Sequence, residues 1–398
     1  MPEDQPEHTG TAPYLGPRVT VVAEQLRRRV PGGIGTYATG LLCGLAALQP
    51  RPDVSIVASP APSNRRDPLT EFGFPVSAVG GPFLAGLARS PRWPSAPSQI
   101  VTRLWARGML KLGSERDGRT DLVHSVSLAA PPVGRTPLTV MVHDVAWRQT
   151  PESYPPRGLA WHEAALSRTC RTARAVVVPS HAVALDLERA AVELDPSRIT
   201  VIPEGCDHLP PPDHEAAREA LGRLGVTGEY LLSVSTLEPR KNLQRLLDAY
   251  RRIRPDLPEP WPLVVVGPAG WGPQLREAPG VVLAGQVPSP VLRALYEAAR
   301  VVVYVPLVEG FGLPAVEALA AGAPLVVSSG VPCIAELSAP AVVVDPFSVE
   351  AIATALALLA TDDARRAELA IAGPASVAGQ RWSDVARSHL AWWAEVVG

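Results

Sequence analysis

The chain alternates short, apolar, β-branched runs with longer stretches in which apolar residues recur every three to four positions. The short runs lack the period-two alternation of a half-exposed sheet, so they read as buried parallel strands. The longer stretches read as amphipathic helices. A first series places strands at 18–23, 54–58, 121–124, 138–142, 175–178 and 199–202, with helices at 36–48, 157–172 and 182–193. Pro210-Pro211-Pro212 then interrupts the pattern, because a proline run continues neither a helix nor a central strand. A second series follows. Its strands lie at 230–234, 263–266, 281–283, 301–305, 324–327 and 341–344, its helices at 242–253, 290–299, 313–321 and 348–360. Two βα series joined by a stiff linker predict an α/β protein of two Rossmann-like domains facing across a cleft. The expected division is 1–207 and 208–379. An amphipathic helix over 384–397, carrying Trp392-Trp393, has no strand after it, and the segment 380–398 is expected to pack back on the first domain. Residues 60–120 are irregular and rich in proline and arginine around Trp93 and Trp105, with a helix expected near 98–112. Loops of that length are usually functional or unstructured.

Composition narrows the field. A length of 398 residues fits two or three domains of roughly 100–200 residues each. Hydrophobic residues make up 46% and charged residues 19%, as in an ordinary globular protein. The net charge is −2, and no basic block stands out beyond Arg27-Arg28-Arg29, which argues against nucleic-acid binding as the main task. Cys43, Cys170, Cys206 and Cys333 show no C-x-x-C spacing, against a zinc site or disulfide framework and in favour of a reducing compartment. Residues 1–17 are polar and do not read as a signal peptide. No apolar run approaches the ~20 residues that span a bilayer. The expectation is a cytoplasmic protein. Arg27-Arg28-Arg29 reads either as a solvated basic turn or as a contact with anionic lipid at the inner membrane face.

Candidate chemistry sits at strand ends, where open α/β sheets bind ligands. Pro31-Gly32-Gly33-Ile34-Gly35 follows the first strand and can offer backbone amides to a phosphate or sugar. It lacks the G-x-G-x-x-G of a dinucleotide fingerprint. His143-Asp144 ends the strand 138–142, and Ser180 reads as a helix N-cap. Arg240 and Lys241 follow the strand 230–234 and suit a diphosphate: the guanidinium binds two oxygens at once and the ammonium adds a point charge. Gly267-Pro268 follows the next strand and can face a nucleotide base. Glu309 and Glu317 flank a strand-to-helix turn containing Gly310-Phe311-Gly312, whose amides can hold an anion. Carboxylates beside an anion site fit a ligand bearing both phosphates and hydroxyls, such as a nucleotide sugar. An acid/base pair as in glycoside hydrolysis is the weaker reading. Glu317 sits one turn into the helix, where a carboxylate more naturally accepts from vicinal ribose hydroxyls.

Together these residues resemble the retaining glycosyltransferases of family 4, which have the GT-B fold. The resemblance runs from the GGIGTY stretch at 32–37 to Asp345-Pro346, and its most specific part is E-G-F-G-L-P-A-V-E at 309–317. It implies that Glu309 contacts the donor sugar, that Glu317 holds the ribose, and that amides around Phe311, Gly312 and Leu313 lie near the sugar and diphosphate. Lys241 matches the family's phosphate lysine. Thr236 stands where the family usually has an arginine, with Arg240 as the substitute. His143 matches a histidine near the transferred sugar, and Gly32 and Gly33 match the glycine loop facing donor and acceptor. Glu336 is followed by Leu337 where the family often has glycine. T-L-E-P-R-K-N at 236–242 is similar to a mannosyl- or rhamnosyltransferase-like subgroup. The resemblance thus implies a retaining hexosyltransferase with GDP-mannose as first donor, a glycan, lipid-linked or small-molecule hydroxyl as acceptor, and no metal or cofactor. The alternatives are a GT-B epimerase or phosphorylase, a non-catalytic nucleotide-sugar-binding protein, or, more remotely, an NAD(P) dehydrogenase.

Overall fold

The computed structural model describes residues 15–61, 66–80, 84–86, 96–112, 120–190, 193–272, 275 and 278–398. Seven strands form a first parallel sheet: β1 (Val19–Val22), β2 (Val54–Ala58), β3 (Val76–Ala78), β4 (Leu122–Ser125), β5 (Leu138–Met141), β6 (Ala175–Val178) and β7 (Ile199–Val201). Their order is β3-β2-β1-β4-β5-β6-β7. Six more form a second parallel sheet: β8 (Leu231–Val234), β9 (Leu263–Val266), β10 (Val281–Gly285), β11 (Val301–Tyr304), β12 (Leu325–Ser328) and β13 (Val342–Val344). Their order is β10-β9-β8-β11-β12-β13. Each domain is thus an open α/β sheet. Strands such as β5, β6, β9 and β11 are buried along their whole length, as continuous Val/Leu runs between two helix layers require.

In both sheets the chain runs outward on one side of the first strand and then returns to its other side. The reversal falls between β1 and β4 in one sheet and between β8 and β11 in the other. Loops leaving adjacent strands at such a point diverge and open a crevice.

The expected elements are present within a few residues, with several differences. The first helix is Gly32–Ala47, so the glycine stretch is its first turn rather than a loop before it. Gly35 N–H donates to the Pro31 carbonyl at 3.2 Å, which closes that turn. The expected helix near 98–112 is Ala96–Ala106. β3 and the short helix Ala146–Gln149 did not emerge from the pattern. Nor did His214–Arg223 and Asp363–Val377. The last contains Pro374, which reads locally as a breaker. Its start is fixed by Asp362, whose side chain accepts from Arg365 N–H at 2.9 Å.

The helix Trp382–Val397 lies against Gly32–Ala47 of the first domain. Gly40 makes this possible, since a Cβ there would fall 2.1 Å from Trp382 Cε2. Tyr37 Oη and His389 Nε2 are 2.8 Å apart at the centre of the interface. His124, His389 and Trp393 are fully buried around them.

Candidate active site

The crevices of the two sheets face each other and contain two cavities, of about 330 and 430 Å³. Gly33, Ser235, Thr236, Leu313 and Pro314 line both, so the cavities are one continuous cleft. His143, Arg240, Lys241, Glu309, Phe311 and Gly312 line the first. Gly32, Gly267 and Glu317 line the second. These residues therefore all border the cleft, and Gly33, Thr236 and Leu313 stand at the junction.

Glu309 is the hub of the first cavity. Its Oε1 accepts from Lys241 Nζ, and from Tyr304 Oη at 2.7 Å. Its Oε2 lies 3.2 Å from Arg240 Nη1. Burial alone would raise the Glu309 pKa, but Arg240 and Lys241 overcome it and hold the carboxyl down to about 2. Arg240 is also held by the Val308 carbonyl at 2.9 Å and Glu238 at 3.1 Å, with Asp144 of the other domain 3.8 Å away. Burial works against its charge, yet Glu309 and Asp144 raise its pKa well above the ordinary value. Among the described residues, two buried polar atoms here have no hydrogen-bond partner: Arg240 Nε and the Ser235 hydroxyl at the junction. Such groups call for a ligand or water.

His143 is positioned from both ring nitrogens. Nε2 lies 3.0 Å from the Val126 carbonyl and Nδ1 3.2 Å from Glu204 Oε1. Tyr37 packs edge-on against the ring at 5.0 Å. Glu204 follows β7, is 3% exposed and borders the first cavity. Its position on a proline-glycine turn gave no sign of this contact.

Glu317 is equally constrained. Tyr296 Oη donates to its Oε2 at 2.8 Å, and His208 Nε2 lies 2.8 Å from its Oε1. Trp382 Nε1 donates to His208 Nδ1 at 3.4 Å, which leaves the His208 proton on Nε2, facing Glu317. His208 lies just before the proline linker. Nothing in its spacing from Glu317 announces the pairing, and only the chain reversal brings them together.

The turn between the glutamates is shaped by glycine. Gly312 has φ +107°, a value that favours glycine, and precedes the helix Leu313–Ala320. At Gly310 an added Cβ would fall 1.8 Å from the His143 carbonyl oxygen. The Ser180 hydroxyl caps its own helix by accepting from Val183 N–H at 3.1 Å, and also donates to the Gly310 carbonyl at 2.7 Å. Glu336 accepts from His181 N–H at 2.8 Å. The two domains thus meet along one edge of the cleft through direct hydrogen bonds.

An open two-sheet α/β scaffold with cations and carboxylates at its facing switch points defines a group-transfer enzyme of the GT-B architecture. The chain belongs to the family 4 glycosyltransferases. Residues 31–208 match the family described as Glycosyltransferase Family 4, and residues 220–375 match Glycosyl transferases group 1. The O-antigen chain mannosyltransferase B of Escherichia coli is 26% identical over 368 residues, 88% of this chain and 93% of that protein. The serotype-specific mannosyltransferase WbdA of Escherichia coli is 30% identical over 173 residues, 41% of this chain and 21% of that protein. Among solved structures, Anabaena Alr3699/HepE in complex with UDP and glucose superposes with a TM-score of 0.67 at 18% identity, covering 95% of this chain and 100% of that one. WaaG, a glycosyltransferase involved in lipopolysaccharide biosynthesis, gives a TM-score of 0.62 at 16% identity, covering 94% of this chain and 98% of that one.

Proposed function

We propose that the protein transfers a mannosyl group from GDP-mannose to an acceptor hydroxyl, with retention of anomeric configuration. The observation that carries this reading is the sequence of groups along the cleft. The second cavity presents Gly267 and a Glu317–His208 pair. The junction presents the unpartnered Ser235 hydroxyl. The first cavity presents Lys241, Arg240, Glu309 and His143. A nucleoside, a diphosphate and a hexose laid in that order meet ribose acceptors, phosphate donors and sugar acceptors in turn. The mannosyltransferase relatives favour mannose as the hexose.

In this reading residues 1–207, completed by 380–398, bear the acceptor and 208–379 the donor. Glu317 accepts from the ribose hydroxyls. Lys241, Arg240, Ser235, Thr236 and the amides of Gly32, Gly33 and Leu313 surround the diphosphate, and Gly267 approaches the base. Glu309, Phe311 and Gly312 contact the hexose. As the anomeric carbon–oxygen bond breaks, charge grows on the leaving phosphate, where prepositioned cations stabilise it most. The acceptor oxygen bonds to the anomeric carbon from the face the diphosphate leaves, and its proton passes to a phosphate oxygen. His143 steadies the sugar ring at the reacting centre.

The test is to incubate the protein with GDP-mannose, UDP-glucose and other donors, with and without candidate glycan acceptors, and to measure the nucleoside diphosphate formed. Release of GDP with an α-mannosidic product supports the proposal. No release from any donor, together with no nucleotide binding by calorimetry, sinks it.

A further inference from the structure

We propose that the acceptor is an anionic glycan, held by Arg28 and by a wall of aromatic rings on the first-domain side of the cleft. The inference rests on the glycosyltransferase reading and adds the chemical class of its acceptor. The three consecutive arginines have separate fates. Arg27 turns inward, bonding Asp67 at 2.7 and 2.5 Å and the Ser59 carbonyl at 2.9 Å. Arg29 is exposed. Arg28 is half-buried and borders the first cavity, yet its guanidinium has no hydrogen-bond or ion-pair partner among the described residues. Burial lowers its pKa, only partly offset by the charge of Glu24. Glu24 is itself committed to Ser59, at 2.6 Å to the amide and 2.7 Å to the hydroxyl. A half-buried cation with no direct partner among the described residues is poorly compensated, and an arginine fork matches a carboxylate or phosphate in two contacts.

Beside Arg28 the wall of the cavity is aromatic. Trp147 stacks on His162 at 4.7 Å and 28°, and Trp161 meets the same ring edge-on at 4.9 Å. Tyr154 continues the row, 5.7 Å from His162 and 6.1 Å from Trp271 of the other domain. Three polar atoms of these rings are spent on protein. Trp147 Nε1 donates to Glu163 at 2.7 Å, Trp271 Nε1 to the Ser153 carbonyl at 2.8 Å, and His162 Nδ1 to the Gly158 carbonyl at 2.8 Å. The ring faces themselves offer a ligand apolar surface, suited to the C–H faces of a pyranose. Burial lowers the His162 pKa, and the charge of Arg28 adds to this, so cation and rings belong to one site. Asp144 and Glu204 border the same cavity and can accept from sugar hydroxyls.

The experiment is calorimetric titration of the full chain with its nucleotide site saturated by GDP, so that the donor-phosphate position is filled. Three probes are compared: methyl α-mannoside, mannose 1-phosphate and methyl β-glucuronide. At least one anionic probe is expected to bind tenfold or more tightly than the neutral one, and the better of the two identifies a phosphate or a carboxylate. In Arg28→Gln that preference disappears while GDP affinity, which also reports folding, is unchanged. In Trp161→Ala affinity for all three probes falls together. Equal binding of the three probes by the unaltered protein, or a preference that survives Arg28→Gln, overturns the proposal. Failure of GDP to bind would instead count against the glycosyltransferase reading. In that case, comparing Arg28→Gln with Lys241→Gln without nucleotide still decides where the anion sits.

Discussion

Gly310 and His143 meet backbone to backbone across the cleft, so closely that a Cβ on residue 310 would lie 1.8 Å from the His143 carbonyl oxygen. That carbonyl belongs to one domain and that glycine to the other. No side-chain rotation relieves the clash, so Gly310→Ala must move the domains apart. Misplacement by about 1 Å costs on the order of 10²-fold in a group-transfer reaction. The expected outcome is a kcat lowered by about that factor with nucleotide affinity nearly unchanged. Steady-state kinetics beside GDP titration checks it, and wild-type turnover in the variant would show that this contact does not set the reacting geometry.

Lys241→Ala is expected to lower kcat by about 10²–10³-fold, as loss of one prepositioned transition-state donor does. Arg240→Ala should do the same and also loosen Glu309, because the two side chains are ion-paired at 3.2 Å. Turnover numbers measured at saturating donor decide both, and activity within twofold of the parent would remove either residue from the leaving-group role.

His208→Ala should act differently. His208 fixes Glu317 rather than a phosphate, so its loss weakens donor binding in ground and transition states alike. A bond to a charged acceptor is worth about 1.5–3 kcal/mol, so KM for the donor should rise roughly 10- to 100-fold with kcat little changed. Glu317→Gln should follow the same pattern. A fall in kcat without a change in KM would contradict it.

Stability should fall with acid in two adjoining windows. His389 is held neutral by burial, with a pKa of about 4 against an ordinary 6.5. Between those values the unfolded chain binds the proton and the folded one does not, so stability declines from about pH 6.5 to about pH 4. Burial likewise drives His124 well below 6.5, and it adds to the same loss. Glu309 sits at about 2 against an ordinary 4.5, because Arg240 and Lys241 outweigh its burial. Its contribution is complete above about pH 4.5 and is lost as pH falls toward 2. Denaturant midpoints measured from pH 8 to pH 2 should show both declines, with His389→Gln reducing the upper one and Glu309→Gln reducing the lower.

The strands and most helices were legible because each buried parallel strand is a contiguous apolar run, as at 175–178 and 263–266. The helix Asp363–Val377 was hidden by Pro374, whose local preference is overridden by packing against Leu313–Ala320. In the cleft, residues next to strand ends could be found because topology puts strand ends there. Their partners could not. Glu204, His208, Tyr296 and Tyr304 act through contacts with residues 5 to 109 positions away, and no periodicity encodes those. The arginine run shows the same limit. Its composition is basic, but which arginine turns inward depends on Asp67, 40 residues on.

The helix Trp382–Val397 has a consequence for how the chain is made. Tyr37, Gly40 and Gly44 belong to the earliest part of the first sheet's packing, yet Trp382, Ala386 and His389 that cover them are synthesised after the whole second domain. At about 5–20 residues per second, that apolar face stays uncovered for on the order of ten seconds or more after it leaves the ribosome. During this interval the nascent first domain offers a ready surface to chaperones, and its final packing waits for the helix Trp382–Val397.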